Sequence, residues 1–290
     1  MSTDKLPITV LIATKNEAVN LPKCLSALSE FERVVLLDSN SHDSTPEIAE
    51  RFGAEIVQFS YAGGYPKKRQ WALDTLDLRT GWVLLLDADE VVPEALSREI
   101  RAAIGSDTAS TGYLIKKGFH FFGRRFRYGG FSHAAVLLFR TGSGKFEHLL
   151  DESSLGTLDM EVHERIIIDG AIGELATPLI HEDYKGLEAY IDRHNKYSTW
   201  EAAVRSKFLN SGEWGESSIR PRLFGNTQER RRWLKKIAMR VSGEAWLWFL
   251  YHYVFRLGFL EGRAGFVASQ IRSQYISNVR AKIVAERVAS

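Results

Sequence analysis

The stretch that most constrains the fold is an apolar run that ends abruptly in carboxylates. Residues 82–86 are all apolar, and Asp87, Asp89 and Glu90 follow within four positions. A short run of this kind predicts a strand buried on both faces, which is typical of a parallel sheet. Ligands of open α/β sheets bind at the carboxyl ends of the strands, so Asp87 and Asp89 are expected at a binding site. The alternative is that Asp89 or Glu90 caps a helix beginning near Pro93.

Two carboxylates one residue apart repel each other unless a cation lies between them. A hard divalent ion that also holds substrate phosphates would supply this cation. The order of the other apolar segments supports such a site, because they alternate between strand and helix patterns. Strands are predicted over 8–13, 34–37, 56–57 and 82–86, with helices beginning near Asn20, Thr45, Lys67 and Pro93. This βαβαβαβα series predicts a parallel sheet with right-handed crossovers.

The pattern changes after Gly105. Shorter strands are predicted over 112–115, 134–140 and 162–169. We interpret them as antiparallel strands that form the side of the site where an acceptor binds, beside the nucleotide-binding half. From Tyr184 onward the pattern is helical. The fold class is therefore α/β, with a first domain over 1–185 and a helical C-terminal extension over 186–290.

Composition limits the kind of protein. With 290 residues and 44% hydrophobic content, the chain can bury a sizeable core. The single cysteine, Cys24, excludes a disulfide framework and a cysteine zinc site, and its helical spacing with Leu21, Leu25 and Leu28 predicts a packed core thiol. Residues 1–13 lack the pattern of a signal peptide, so a cytoplasmic location is expected.

The net charge of +2 hides two opposite halves. Residues 186–290 contain 18 Lys and Arg against 9 Asp and Glu, whereas residues 1–185 contain 20 against 27. An acidic half that needs cations and a basic half that meets an anionic surface are expected.

Several motifs at the predicted strand ends carry a resemblance to a known family. They are Thr-Lys-Asn-Glu at 14–17, Leu-Asp-Ser-Asn-Ser-His-Asp-Ser-Thr at 37–45, Asp-Ala-Asp-Glu at 87–90, Val-His-Glu at 162–164 and Leu-Ile-His-Glu-Asp-Tyr at 179–184. Together they resemble the inverting glycosyltransferases of family 2, which have the GT-A fold. Within that family the chain is similar to the WaaE/KdtX-like subgroup that builds lipopolysaccharide core and exopolysaccharide. The likeness covers nearly the whole chain, including residues 255–265. One departure is Asp38-Ser39-Asn40-Ser41 in place of the usual Asp-Asp-Gly-Ser, and Asn40 tolerates the positive φ of that glycine.

The resemblance implies a role for each matching residue in binding the nucleotide-sugar donor. Asp38 would accept the imide N–H of uracil or another pyrimidine. The base and ribose would be lined by Thr14, Asn16 and Glu17, and Arg69 would face the pyrophosphate.

The resemblance also implies a metal site for Mg²⁺ or Mn²⁺. Asp89 would ligate the metal, and Asp87 would contact the ribose, the metal or a metal-bound water. His181 matches a position that can add a metal contact, with a plain core histidine as the alternative. The cation would stabilise the charge that develops on the leaving diphosphate, and Lys68 or Arg69 could assist.

Glu164 would be the catalytic base that takes the proton of the acceptor hydroxyl, so that an α-linked donor gives a β-linked product. It precedes the apolar run at 166–168 and is expected near an element end that faces the cleft. Glu161 and Asp159 compete for this role, and a surface glutamate paired with Arg165 is the alternative. His163 would orient Glu164 or simply pack.

The C-terminal half contains a basic stretch followed by an aromatic one. Residues 219–240 include eight basic residues against Glu229 alone, and residues 245–260 are apolar and rich in aromatics. The apolar stretch is shorter than the roughly 20 residues that span a bilayer. It predicts a helix lying in an anionic membrane interface, which would place the chain peripherally at the inner membrane near a lipid-linked acceptor. A buried helix or a homo-oligomer interface is the alternative.

The expected donor is a UDP-sugar. UDP-glucose is the first expectation, and UDP-galactose or a UDP-N-acetylhexosamine is the second. The expected acceptor is a saccharide or a lipid-linked saccharide. Residues 228–233 have one residue too many for the Gln-x-x-Arg-Trp motif of processive synthases, so nonprocessive transfer is expected. Two rival functions are a sugar nucleotidyltransferase and a non-catalytic nucleotide-sugar or membrane-binding scaffold. A nucleotidyltransferase would need a glycine-rich loop after the first strand, whereas residues 14–17 contain no glycine. No nucleic-acid module is recognisable, so nucleic acid is not an expected partner.

Overall fold

The computed structural model describes residues 5–107, 109–150, 159, 161, 164–214, 218–241 and 243–289. These fall into two compact units. The first contains the described residues of 1–118, 134–146 and 152–185, and the second those of 119–133, 147–151 and 186–290. The second unit thus includes two short segments from before residue 186. The division into functional domains at residue 185 stays a prediction.

Twelve strands occur in the described residues. In chain order they are β1 (Leu6–Thr14), β2 (Phe31–Asp38), β3 (Glu55–Gln58), β4 (Trp82–Asp87), β5 (Glu90–Val91), β6 (Gly112–Phe121), β7 (Arg124–Arg125), β8 (His133–Arg140), β9 (Gly144–Phe146), β10 (Ile166–Ile168), β11 (Ile172–Glu174) and β12 (Leu179–His181). The main sheet has the order β3-β2-β1-β4-β8-β6-β12-β5, with β11 and β7 beside β6, while β9 and β10 form a separate pair.

The first half of this sheet is parallel, as predicted. β1 lies between β2 and β4 and pairs with both in parallel, and β2 pairs with β3 in the same way. Four helices connect or follow these strands: α1 (Leu21–Ser26), α2 (Thr45–Arg51), α3 (Lys68–Thr75) and α4 (Glu94–Ile104). A proline lies in the first turn of both α1 and α2, where its missing N–H costs nothing.

The later strands are mostly antiparallel, as predicted. β8 pairs with β4, and β12 pairs with β5, in antiparallel fashion. β11 differs, because it pairs with β6 in parallel. Of the strand predicted over 162–169, only β10 forms within the described residues, and residues 162 and 163 lie outside them.

The core of the first unit is formed by the central strands. Every residue of β1 except Pro7 is buried, and so are the first five residues of β4. Burial on both faces explains why these strands read as continuous apolar runs rather than alternating ones. Cys24 is fully buried in this core, which confirms its prediction as a packed thiol.

The second unit is mainly helical, as predicted from Tyr184 onward. Its helices are α5 (Gly186–Ser211), α6 (Thr227–Ala238), α7 (Glu244–Leu250) and α8 (Gly262–Ala289), with a π-helical turn at Tyr251–Phe255 and a 3-10 turn at Gly258–Glu261. α8 packs against α5 and α7 around Tyr275, Ile276 and Val279. Among the described residues, no helix is both long and apolar enough to cross a membrane.

Candidate functional site

Three of the predicted site residues meet at one edge of the parallel half-sheet. Thr14 ends β1 and lies opposite Asp38, which ends β2. On the other side of β1, Ala13 lies opposite Asp87, which ends β4. The register therefore places two acidic strand ends on either side of the end of β1. This is the carboxyl edge where ligands of α/β sheets bind.

The Asp38 carboxylate is fixed by donors to both of its oxygen atoms. Thr14 Oγ1 donates to Asp38 Oδ1 at 3.0 Å, and the Ser41 backbone N–H donates to Oδ2 at 2.9 Å. The Ser41 hydroxyl donates to Oδ1 at 2.5 Å. Asn40 adopts φ of +52°, so the prediction that it takes the left-handed conformation of the usual glycine is confirmed. The buried carboxylate is thus held rigidly, and Oδ2, which has one donor, can accept a further hydrogen bond.

Asn16 lies in the loop beside this carboxylate and is exposed. Its backbone N–H donates to Ser41 Oγ at 2.8 Å, and its side-chain oxygen accepts from the His42 backbone N–H at 2.9 Å. The Asn16 backbone has φ of +54°. The two loops that follow β1 and β2 are therefore hydrogen-bonded to each other.

The Glu17 side chain is half-buried and is already bound by other side chains of the protein. Its carboxylate accepts from Lys185 Nζ at 2.6 Å and from Asn20 Nδ2 at 2.9 Å. Burial raises the pKa of Glu17, although Lys185 and Asn20 act in the opposite direction. Asn20 makes no side-chain capping bond to α1, because its amide group instead binds Glu17, Asp183 and the Tyr184 backbone N–H.

Asp87 is compensated by two cations of the chain itself. Arg69 forms an ion pair with Asp87 Oδ1, and Lys117 Nζ lies 2.7 Å from Oδ2. Lys117 also lies 2.6 Å from Glu90 Oε1. Burial opposes ionisation of Asp87, but Lys117 and Arg69 together hold its pKa well below the ordinary value. The charge compensation that the sequence assigned to a metal is, at Asp87, supplied by protein side chains.

Lys117 is a site residue that the sequence analysis missed. It belongs to no motif, since it is one of two adjacent lysines in β6. Side chains alternate between the two faces of a strand, and here Lys116 is exposed while Lys117 is buried. Lys117 lies on the same strand face as Tyr113 and Ile115, and a lysine on such an apolar face is the signal that could have identified it.

Arg69 was predicted to face a pyrophosphate. Its side chain is buried against Asp87, and its Nη2 also donates to the Leu86 carbonyl oxygen at 3.4 Å. Arg69 Nε is buried without a hydrogen-bond partner among the described residues. Buried donors are normally satisfied, so this nitrogen is an exception among the described residues.

Asp89 and His181 are brought together as predicted. His181 lies on β12 opposite Glu90 of β5, and its Nε2 is 3.4 Å from Asp89 Oδ2. Burial lowers the pKa of His181, but the Asp89 carboxylate raises it more, to about 9. A cation bound between the two side chains would compete with a proton on His181.

The donor set can be tested against the expected metal. Among the residues that the structure describes, no group of three or more His, Cys, Asp or Glu side chains forms a complete metal site. Mg²⁺ is usually held by one or two carboxylates together with substrate phosphates, not by a closed protein cage. Asp89, with His181 beside it, fits a cation of this kind whose other ligands come from a bound diphosphate.

The three competing carboxylates of the 159–164 segment lie at the N-terminal end of α3. The Glu161 carboxylate accepts from the backbone N–H groups of Arg69 and Gln70, at 3.2 and 2.9 Å. Asp159 lies 3.2 Å from Lys68 Nζ and accepts from the Ser39 hydroxyl. Glu161 therefore satisfies the first backbone donors of a helix, which is a structural role.

Glu164 is bound to a different residue of the same helix end. Its Oε2 lies 2.9 Å from Lys67 Nζ, and both side chains are almost fully buried. The alternative of a surface glutamate is therefore wrong. Val162 and His163 lie outside the described residues, so a role of His163 in orienting Glu164 stays a prediction.

Comparison with known proteins identifies the family. The sequence model of glycosyl transferase family 2 matches residues 9–154, half of the 290-residue chain. The chain belongs to glycosyltransferase family 2. It is a glycosyltransferase, and its mixed α/β sheet with C-terminal helices confirms the predicted GT-A fold.

Related sequences differ in how much of their length the match covers. The glycosyltransferase is 29% identical to the lipopolysaccharide core biosynthesis glycosyltransferase LpsC of Rhizobium meliloti (strain 1021) over 232 residues, which is 76% of each chain. It is 33% identical to an uncharacterized glycosyltransferase of Rickettsia bellii (strain RML369-C) over 100 residues, 34% of this chain and 33% of that one.

Solved structures resemble the glycosyltransferase weakly. S. aureus TarS 1–349 in complex with UDP is 16% identical, with a TM-score of 0.40 over 98% of this chain and 92% of that one. Glucosyl-3-phosphoglycerate synthase from Mycobacterium tuberculosis, in complex with Mn²⁺, UDP and glucosyl-3-phosphoglycerate, is 21% identical, with a TM-score of 0.31 over 40% of this chain and 45% of that one. At these levels of similarity neither structure says which donor or acceptor this chain uses.

Proposed function

We propose that this glycosyltransferase moves a hexose from a UDP-sugar, UDP-glucose in the first instance, to a saccharide or lipid-linked acceptor of cell-envelope polysaccharide. The proposed reaction is nonprocessive, so one sugar is transferred per binding event, and it is metal-dependent and inverts the anomeric configuration. The observation that carries the proposal is that Asp38 and Asp87 lie on either side of the end of β1. Asp89 follows Asp87 by two residues, and His181 Nε2 lies 3.4 Å from Asp89 Oδ2. The relation to LpsC supports an acceptor in lipopolysaccharide core, which would place the protein at the cytoplasmic face of the inner membrane.

The donor nucleotide is proposed to bind across the loops that follow β1 and β2. Asp38 would accept the imide N–H of the base, because its buried carboxylate is already oriented by Thr14 and Ser41. Asn16 is exposed beside it and would contact the base or the ribose. The Glu17 carboxylate, which Lys185 holds, would line the same pocket.

The diphosphate is proposed to lie near Asp89 and Arg69. Asp89 and His181 would hold Mg²⁺ or Mn²⁺, and Asp87 would contact the ribose or a metal-bound water. When bound, the cation would offset negative charge on the leaving diphosphate. Arg69 Nε, which is buried and unpartnered among the described residues, would donate to a phosphate oxygen.

Glu164 is proposed as the base. It takes the proton of the acceptor hydroxyl while that oxygen forms a bond to the anomeric carbon, and the bond from this carbon to the diphosphate oxygen breaks on the opposite side. Lys67 holds the Glu164 carboxylate in position through its 2.9 Å ion pair. Glu161 is the weaker candidate because its carboxylate caps α3, and Asp159 is held by Lys68.

The test is release of UDP from UDP-glucose with Mn²⁺, compared between the wild-type protein and Asp89→Asn. The substitution should lower turnover by at least about 10²-fold, since stabilisation of a developing charge is typically of that size. Asp77→Asn is the matched control, because Asp77 is an exposed aspartate that pairs with Arg79 at the surface. Equal turnover in wild type and Asp89→Asn would contradict the assignment.

The same assay separates the rival functions. A sugar nucleotidyltransferase would release pyrophosphate from UTP only when a sugar phosphate is added, and a scaffold would turn over neither substrate. Replacement of UDP-glucose by UDP-galactose or a UDP-N-acetylhexosamine tests the donor separately from the reaction type.

A further inference from the structure

The second unit exposes an unusual number of large apolar side chains at one place. The chain runs through α7 and the π-helical turn, reverses near Gly258, and continues through the 3-10 turn into α8. We call residues 254–260 the hairpin tip. Its members Phe255 and Leu260 are 76% and 52% exposed, and Val254, Leu257 and Phe259 are exposed to a similar degree as Leu260.

Aromatic rings connect the tip to the two helices that carry it. Phe249 stacks on Tyr253 with ring centroids 5.3 Å apart, and both rings meet Phe266 of α8 edge-on. Tyr253 also contacts Phe259 of the tip. The Trp246 ring extends this row on α7 and is 71% exposed. The apolar surface therefore belongs to packed helices rather than to a loose segment.

The tip is anchored by a buried carboxylate. Glu261 Oε1 accepts from the backbone N–H groups of Arg127 and Tyr128, at 2.7 and 2.9 Å, and the other oxygen pairs with Arg124. The backbone of the tip is bound as well, since Gly129 N–H donates to the Arg256 carbonyl oxygen at 2.7 Å. These contacts fix residues 122–129, which we call the basic loop, beside the hairpin tip.

The charges of these two segments have one sign. The basic loop contains Arg124, Arg125 and Arg127, and all three are exposed. Residues 119–133 contain no Asp or Glu, and residues 245–285 contain five basic residues against Glu261 alone, which is buried. Glu261 pairs with Arg124, and these two ranges contain no other Asp or Glu. The exposed surface is therefore apolar and cationic.

We propose that the hairpin tip and the basic loop together dock the protein on an anionic lipid bilayer, with the tip inserted among the acyl chains and the arginines at the headgroups. Bulky apolar side chains flanked by arginines are typical of surfaces that bind such interfaces. A nucleic acid would leave the apolar tip unburied. A two-fold contact with a second copy would bring the same arginines against each other, which is unfavourable.

This surface differs from the one that the sequence indicated. The basic residues of 219–240 are not all available, because Arg232 is buried in an ion pair with Glu147 and Lys235 pairs with Glu201. The arginines of the basic loop lie more than 90 positions earlier in the chain, so only the fold brings them to the aromatic segment. The inference extends the proposed envelope role but does not depend on the donor site.

Co-sedimentation of the full-length protein with vesicles tests the proposal. Two compositions are compared: phosphatidylethanolamine alone, and an equal mixture of phosphatidylethanolamine and phosphatidylglycerol. Wild type should bind the anionic vesicles and bind the neutral ones much less. Phe255→Ser/Leu257→Ser should weaken anionic binding at least about tenfold, since insertion loses two large apolar groups. Arg125→Gln/Arg127→Gln should weaken it about fivefold per charge.

Matched controls separate the tip from general surface effects. Phe224→Ser removes a 97% exposed phenylalanine of the second unit outside the tip. Arg51→Gln/Lys116→Gln removes two exposed charges from the first unit. Both controls should bind like wild type. Vesicle binding unchanged by the tip variant would overturn the proposal, and so would a change from dimer to monomer in that variant with no vesicle binding by wild type. Donor turnover, measured alongside, should be unchanged in all variants without vesicles, so failure of docking is distinguishable from failure of the proposed activity.

Discussion

Both units of this glycosyltransferase bury ionised side chains, but they use them differently. In the first unit one group of charges lies beside the end of β4, around Asp87, Lys117 and Asp89, and another lies at the start of α3. In the second unit they lie between helices. Arg205 of α5 pairs with Glu201 one turn earlier and with Glu244 of α7, at 2.7 and 2.8 Å.

The difference shows that burial of a charge is not by itself a sign of function. The Glu244 carboxylate accepts from Arg205, from Arg280 and from the Trp248 indole N–H, so its hydrogen bonds are satisfied within the unit. At the strand ends, by contrast, Arg69 keeps a buried donor unpartnered among the described residues, and the Asp89–His181 pair is separated by 3.4 Å. Buried atoms without a hydrogen-bond partner among the described residues also occur in the second unit, at Trp214, Gln228 and His252. We therefore interpret the strand ends as a ligand site because of their position at the carboxyl edge of the parallel sheet, and the Arg205–Glu244 network as a scaffold because its charges are paired with one another.

The largest effect that tests this comparison is expected from Glu164→Gln. Loss of a general base should lower kcat by about 10²–10⁴-fold, because the acceptor hydroxyl then lacks its proton acceptor. Transfer to an acceptor saccharide is measured together with UDP binding by calorimetry, which should stay near wild type and show that the protein is folded. Glu161→Gln is the matched control: it removes a helix-capping carboxylate, so it should cost about 1 kcal/mol of stability with kcat within tenfold. Equal loss of kcat in both variants would remove the distinction between base and cap.

Removal of a network charge in the second unit should act on stability instead. Arg205→Met leaves Glu201 and Glu244 buried with fewer partners, and the unfolding free energy should fall by about 3 kcal/mol. Urea unfolding followed by tryptophan fluorescence is suitable, since five of the seven tryptophans lie in residues 186–290. Lys196→Met, an exposed change on the same helix, should stay within about 0.5 kcal/mol. A change that small in Arg205→Met would mean that the network contributes nothing.

A smaller effect is expected from the pH dependence of His252. Burial lowers its pKa to about 4, with the Gly129 hydrogen bond acting in the opposite direction and Arg272, Arg231 and Arg256 lowering it further. Below pH about 6.5 His252 binds a proton in the unfolded chain but not in the folded chain. The free energy of unfolding therefore falls as pH decreases from about 6.5 to about 4. The fall amounts to at most about 3 kcal/mol.

Urea midpoints of wild type and His252→Gln across this range isolate the histidine from other titrating groups. The variant should lose less stability on acidification than wild type does. His42→Gln, which changes an exposed histidine of the first unit, should follow the wild-type curve. Parallel curves for wild type and His252→Gln would show that His252 takes up its proton while folded.

The smallest effect is expected at an exposed ion pair. Arg98 pairs with Glu94 one turn earlier on α4, and both side chains are mostly exposed. Arg98→Ala should lower the unfolding free energy by less than about 0.5 kcal/mol, because solvent and salt screen such pairs. A loss above about 1 kcal/mol in urea would mean that exposure does not separate weak from strong pairs here.

Much of the first unit could be predicted because its signals are local. The apolar runs of β1, β2 and β4 specify buried parallel strands, and the prolines of α1 and α2 mark where helices begin. The carboxylates at the strand ends were predicted for the same reason, since a strand end is visible where an apolar run stops. Asn40 shows that even a departure from a familiar motif can be interpreted from backbone preference alone.

Partners far apart in the chain could not be predicted in this way. Lys117 lies 30 positions from Asp87, and Lys67 lies 97 positions from Glu164. Neither lysine has a local pattern that names its carboxylate. The basic stretch at 219–240 was likewise interpreted as one surface, whereas Arg232 turns inward to Glu147.

The sequence by itself determined the α/β order, the acidic strand ends and the family, because each depends on residues that are near neighbours along the chain. Only the tertiary structure decided which charge meets which. Residues such as Lys117, Lys67 and the arginines of the basic loop acquire their partners when strands and helices pack, and no local pattern records that choice. The physical reason is that a buried charge must be compensated by whatever the fold brings beside it.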